Sequence, residues 1–164
     1  MTRARATAGS LLFLLVAPGV MAGVIPWWLT GWESTDPPVA LVIAGAVLIA
    51  AGVAALLSAF ARFAVEGLGT PAPVAPPGQL VIGGLYRHVR NPMYVAVVTA
   101  VLGQGLLLGS PVLLVYALAL WAVFAGFVRV YEEPVLLDTY GDDYERFRAA
   151  VPAWLPRLRP WRGG

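Results

Sequence analysis

Residues 91–128 read NPMYVAVVTAVLGQGLLLGSPVLLVYALALWAVFAGFV, with no charged side chain anywhere in the run. A membrane-spanning helix needs about 20 apolar residues. The run is too long for one span and short for two spans with a loop between them. Gly109-Ser110-Pro111 resolves this as a tight turn. Glycine ends one helix, serine caps the next, and proline fills a first helical position where no N–H is needed. Asn91-Pro92 opens the first of these helices by the same logic. The stretch therefore reads as a tight helical hairpin, the third and fourth spans of the chain.

Outward from the hairpin, the composition demands a lipid solvent. Of 164 residues, 59% are hydrophobic and only 12% charged, and the mean hydropathy is +0.76. Soluble domains carry roughly a quarter charged residues. The expectation is an all-α, polytopic helix bundle of about four transmembrane helices, one membrane domain over residues 1–164. Residues 1–66 supply two scaffold spans, and residues 70–160 carry the hairpin and its polar flanks. The first span covers about residues 6–29. Pro18 predicts a kink and Pro26 an end, followed by an interfacial cluster of Trp27, Trp28 and Trp32. The second covers about residues 39–62 behind a capping Asp36 and Pro37-Pro38. Its Gly45, Ala46, Ala50, Ala51, Gly52, Ala54 and Ala55 give it a small face that lets helices approach closely. Residues 71–84, rich in proline and glycine, form a loop.

Beyond Arg129 lies a polar end. Tyr140, Tyr144, Phe147 and Val151 fall on one helical stripe, so residues 141–150 predict a C-terminal amphipathic helix, with Asp142 and Arg146 paired on another face. The tail, with Trp154, Arg157, Arg159, Trp161 and Arg162, reads as an interfacial anchor.

All basic residues are arginine, and their distribution orients the spans. Arg3 and Arg5 precede the first span; Arg62, Arg87 and Arg90 flank the second loop; six more follow the fourth span. The first loop and third turn have none. The positive-inside rule then places both termini and the second loop in the cytoplasm. Arginine-only basic usage and Ala/Gly/Val richness suggest a bacterial source, hence an inner (plasma) membrane. A rival reading makes the first segment a signal peptide cleaved after Val20-Met21-Ala22; its apolar run is long for that.

The chain has no cysteine and a single histidine, His88. Thiolate and His-rich metal sites are excluded, and no metal is expected. A net charge of +2 gives no reason to expect nucleic acid as a partner. Two polar clusters remain, on one membrane face. Tyr86-Arg87-His88-Val89-Arg90-Asn91-Pro92-Met93-Tyr94 enters the third span, and Tyr131-Glu132-Glu133-Pro134 leaves the fourth. A tight hairpin makes them neighbours. Carboxylates at a helix C-terminus oppose the helix dipole, so Glu132 and Glu133 call for a ligand. The alternative is a helix that kinks on past Pro134, with Arg87 or Arg90 neutralising the pair.

Gly84 to Tyr94, Tyr131 to Pro134, Tyr140-Gly141-Asp142-Asp143-Tyr144-Glu145-Arg146-Phe147 and Val151 to Pro156 together resemble the isoprenylcysteine carboxyl methyltransferase and phospholipid methyltransferase superfamily. The resemblance covers about residues 70–160. Where members often have histidine before the proline, this chain has Asn91. Asparagine hydrogen-bonds but takes up no proton near neutral pH. The resemblance implies S-adenosyl-L-methionine as cofactor and methyl transfer to a lipophilic acceptor, an isoprenylcysteine carboxylate or a phospholipid amine. It implies catalytic roles for Arg90, Glu133 and His88. It implies a cofactor site of Gly84, Tyr86, Arg87, His88, Asn91, Pro92, Tyr94, Glu132 and Glu133, with backbone N–H groups of Gly83 and Gly84. A small transporter would need an ionisable residue inside a span, and the most polar central side chain is Gln104. A non-catalytic membrane scaffold remains the other alternative.

Overall fold

A computed structural model describes residues 16–66 and 80–163. Arg3, Arg5, the start of the first expected span and residues 71–79 of the expected loop lie outside the described residues. Every regular element among the described residues is helical. In order they are α1 (Val16–Thr30), α2 (Val39–Glu66), a single 3-10 turn at Gly84–Arg87, α3 (Pro92–Leu108), α4 (Pro111–Tyr140) and α5 (Asp142–Ala150).

Two helical segments, Val39–Arg62 and Pro111–Tyr140, are long and apolar enough to cross a membrane. Only 11% and 28% of their apolar windows are buried against protein. The core helix of a soluble protein would hide such a surface; here it faces outward, and lipid is the solvent that tolerates it. The chain is an integral membrane protein. α1 and α3 are shorter apolar helices. The 17 residues of α3 span roughly 26 Å at 1.5 Å each, close to the hydrocarbon thickness.

The described chain divides into two compact units. One contains Leu57–Pro92 and Ala125–Gly164, the other the helices up to Leu56 together with Met93–Phe124.

In the second of these units, α2 and α3 meet at backbone distance. A Cβ added at Gly45 would lie 2.5 Å from the Gly103 carbonyl, and one at Gly52 would lie 2.7 Å from the Ala96 carbonyl. The small face of α2 is therefore a helix-packing surface. α1 does not end at Pro26, as the sequence suggested, but runs on to Thr30. It passes the proline through a π-helical stretch, Val20–Val24, in which the Ile25 N–H bonds the Val20 carbonyl. The Ile25 N–H is thereby taken from the Met21 carbonyl, and Pro26 has no N–H for the Ala22 carbonyl, so both lose their α-helical partners. Neighbouring helices replace them: Tyr116 Oη donates to the Met21 carbonyl at 2.9 Å, and Gln104 Nε2 to the Ala22 carbonyl at 2.7 Å. The Trp32 indole N–H in turn donates to Gln104 Oε1 at 3.2 Å.

α2 starts at Val39, where the Pro38 carbonyl accepts from Leu41 and Val42. Asp36, in the left-handed region at φ 53°, lies outside the expected capping position. Between α3 and α4 the expected turn is present. Gly109 has φ +66°, which a side chain would oppose, Ser110 Oγ accepts from the Leu113 N–H, and Pro111 opens α4.

The other unit repeats the π-helical device. Val128–Glu132 is π-helical, the Glu133 N–H bonds the Val128 carbonyl, and Pro134 follows. α4 therefore does not end at the glutamates but continues past Pro134 to Tyr140, the alternative the sequence left open. Gly141, at φ 51° and ψ −126°, then turns the chain into α5. The apolar stripe of α5 is buried as its spacing predicted: Tyr144, Phe147 and Val151 form a core against Leu80, Ile82, Tyr86, Leu137 and Trp161. Arg146 pairs with Asp143 at 2.5 Å, one residue along from the expected Asp142.

Candidate functional site

The polar site is assembled within the unit that holds Leu57–Pro92 and Ala125–Gly164. Its first wall is the segment leading into α3. The 3-10 turn closes with the His88 and Val89 N–H groups on the Leu85 carbonyl, and Val89 is buried beneath it. Residues 87–91 then run as irregular backbone whose polar groups need partners. The C-terminal tail provides them. The Arg90 N–H donates to the Pro152 carbonyl, Arg157 N–H to the His88 carbonyl and Trp161 N–H to the Arg87 carbonyl, each at 2.9 Å. Asn91 Nδ2 donates to the Ala153 carbonyl at 3.1 Å, and His88 Nδ1 lies 2.8 Å from the Arg157 carbonyl. The Arg157 guanidinium caps the end of α5 through the Ala150 carbonyl.

With its backbone held, Arg90 extends toward α4 and α5. Its Nη1 reaches Glu133 Oε1 at 2.7 Å and Tyr144 Oη at 3.3 Å. The pair is largely enclosed, with side-chain exposures of 12% and 13%. Arg148 approaches the other carboxylate oxygen of Glu133, at 3.7 Å. Burial raises the Tyr144 phenol pKa, with Arg90 working against the rise and Glu133 and Glu132 adding to it. The phenol is thus held neutral beside an ion pair. Arg90 Nε is buried without a hydrogen-bond partner.

The glutamates are therefore not at a helix C-terminus. They lie where π-helix gives way to α-helix inside α4, with Glu133 at the first α-helical position. The dipole argument against them does not hold, and Arg90 is the arginine that neutralises Glu133. Gly83, Gly84, Tyr86, Arg87, His88, Arg90, Asn91, Pro92, Glu132 and Glu133 all belong to this unit. Arg87 has an exposed side chain, Tyr86 packs on the α5 core, and Glu132 is half-buried. Tyr94 belongs to the other unit, where its ring lies 4.6 Å from that of Phe124. The sequence did not mark Tyr144 and Arg148 as site residues. Tyr144 reads as one member of an apolar stripe, and only the docking of α5 shows its hydroxyl on Arg90.

Three curated relatives match about half of the chain. Protein-S-isoprenylcysteine O-methyltransferase of Schizosaccharomyces pombe is 40% identical over 80 residues, covering 48% of this chain and 34% of that protein. The Xenopus laevis protein of the same name is 35% identical over 82 residues, covering 49% and 28%. That of Mus musculus is 33% identical over 82 residues, with the same coverage. The matched region thus spans about a third or less of these relatives' own length. The family described as phospholipid methyltransferase matches residues 40–143, from early α2 into the start of α5. That match takes in more than half of the chain, including Arg90 and Glu133, and the chain belongs to the phospholipid methyltransferase family.

Proposed function

We propose that this protein is an S-adenosylmethionine-dependent methyltransferase of the membrane, acting on a lipophilic acceptor. The observation that carries the reading is the enclosed Arg90–Glu133 pair, built from two segments inside the family match. Its donor set suits the cofactor. The unpartnered Arg90 Nε and the exposed Arg87 are cations for a carboxylate, and Glu132 and Glu133 are acceptors for an ammonium and ribose hydroxyls. When bound, the cofactor supplies an electrophilic methyl group on a sulfonium. The residues around it bind and align, and alignment supplies much of the rate of such a displacement. A carboxylate acceptor needs no base, whereas an amine acceptor must lose a proton, for which His88 and the glutamates are the candidates.

The relatives named as isoprenylcysteine O-methyltransferases favour a carboxylate acceptor bearing an apolar chain; the family description favours a phospholipid. The topology we propose is four spans with α3 and α4 as a hairpin, and termini, site and tail in the cytoplasm. The arginine distribution supports it. Binding of labelled S-adenosylmethionine to the purified, folded protein tests the reading, and its absence would overturn it. Glu133→Gln should weaken that binding at least tenfold, a loss of about 1.4 kcal/mol. Methyl transfer from labelled cofactor into a native lipid extract identifies the acceptor class.

A further inference from the structure

The tail after α5 has two faces with different chemistry. Its inward face holds the site: the carbonyls of Pro152, Ala153 and Arg157 and the N–H groups of Arg157 and Trp161 bond residues 87–91. The Trp161 ring packs on Phe147, with centroids 5.6 Å apart. These bonds prevent the tail from turning over. Its outward face therefore stays outward, and that face is apolar and cationic. Leu155 is 81% exposed and Leu158 98%, the most exposed large hydrophobic residues described. Arg159 and Arg162 are exposed beside them, and no acidic residue occurs after Glu145.

Connectivity decides what this face meets. Ala153 is bonded to Asn91, the residue immediately before the apolar helix α3. In the proposed topology α3 crosses the bilayer, which puts the tail, fixed where that helix begins, at the level of the lipid headgroups. Leucine and arginine side by side at that level match an anionic leaflet, with acyl chains for the one and headgroup phosphates for the other.

We infer that the tail, residues 152–162, is an interfacial docking strap. Leu155 and Leu158 insert into the lipid boundary, Arg159 and Arg162 bind anionic headgroups, and the opposite edge holds the segment that positions Arg90. This goes beyond the proposed catalysis and rests only on the proposed topology.

The chain has no cysteine, so a single Leu158→Cys substitution gives one labelling position. An environment-sensitive fluorophore there should show blue-shifted emission in nanodiscs containing phosphatidylglycerol. The shift should be smaller in phosphatidylcholine alone, and smaller again in phosphatidylglycerol when Arg159 and Arg162 are both changed to glutamine. Each arginine should contribute about fivefold to the docking equilibrium at an anionic surface. The same label at Glu145→Cys, on the acidic turn of α5, should report water. Water-like emission from position 158 in both lipids would overturn the inference. So would disulfide capture of a second copy through position 158, which would make the face a protein contact.

Discussion

The His88 imidazole stands 2.8 Å from the Arg157 carbonyl through Nδ1. A carbonyl oxygen only accepts, so Nδ1 carries the hydrogen of this bond. His88 also accepts the Arg157 N–H on its own carbonyl, and the two bonds fasten the tail to the site segment. We propose from this geometry that His88 is a positioning residue. His88→Asn, whose amide can donate in place of Nδ1, should keep cofactor affinity near that of the unmodified protein. His88→Ala should lower it and speed amide hydrogen exchange at Arg157 and Trp161. Equal impairment of both variants with exchange unchanged would point to proton transfer instead. Tyr144 gives a pH prediction. Its phenol pKa is raised in the fold from the ordinary 10.0. A raised pKa contributes stability that is complete below the unfolded value and lost as pH rises through the folded one. Stability should therefore fall above about pH 10, and Tyr144→Phe should flatten that alkaline limb in thermal melts.

At the scale of elements, two prolines that look like helix breakers are both carried by π-helical stretches, Val20–Val24 before Pro26 and Val128–Glu132 before Pro134. The extra residue in the turn lets the helix continue, and side chains from other helices take the freed carbonyls in α1. In α4 this continuation carries Glu133 past the apolar segment to meet Arg90. The α2–α3 contact tolerates no added atom at Gly45 or Gly103, because the groups in the way are backbone. Gly45→Ala should destabilise the protein by about 1–3 kcal/mol, the range for overpacking. Unfolding in detergent measures it; Gly126→Ala, which meets nothing within 4 Å, is the control.

At the scale of the whole molecule, two long, exposed apolar helices make lipid the solvent. The Arg90–Glu133 cluster lies in one compact unit, where α5 and the tail close around the segment before α3. If that unit binds S-adenosylmethionine, the cofactor should stabilise the fold by about 2.7 kcal/mol at a hundred times its dissociation constant. A rise in the thermal midpoint with cofactor concentration checks this, and Glu133→Gln should require more cofactor for the same rise.

The apolar run of residues 91–128, its Gly-Ser-Pro turn and the stripe of α5 were all legible in the sequence, because helical period and turn chemistry are local. The two polar clusters were legible as well, since charged residues are rare here and each one stands out. The ends of α1 and α4 were not, because a proline breaks a helix only when nothing else accommodates it, and that depends on residues as far away as Gln104 and Tyr116. Nor could the sequence choose between Arg87 and Arg90 as partner of Glu133, or enlist Tyr144 and Arg148. The polar flanks of residues 91–128 named the ingredients of a site. Tertiary contact selected which of them meet, because an ion pair is set by distance in space and not by spacing along the chain.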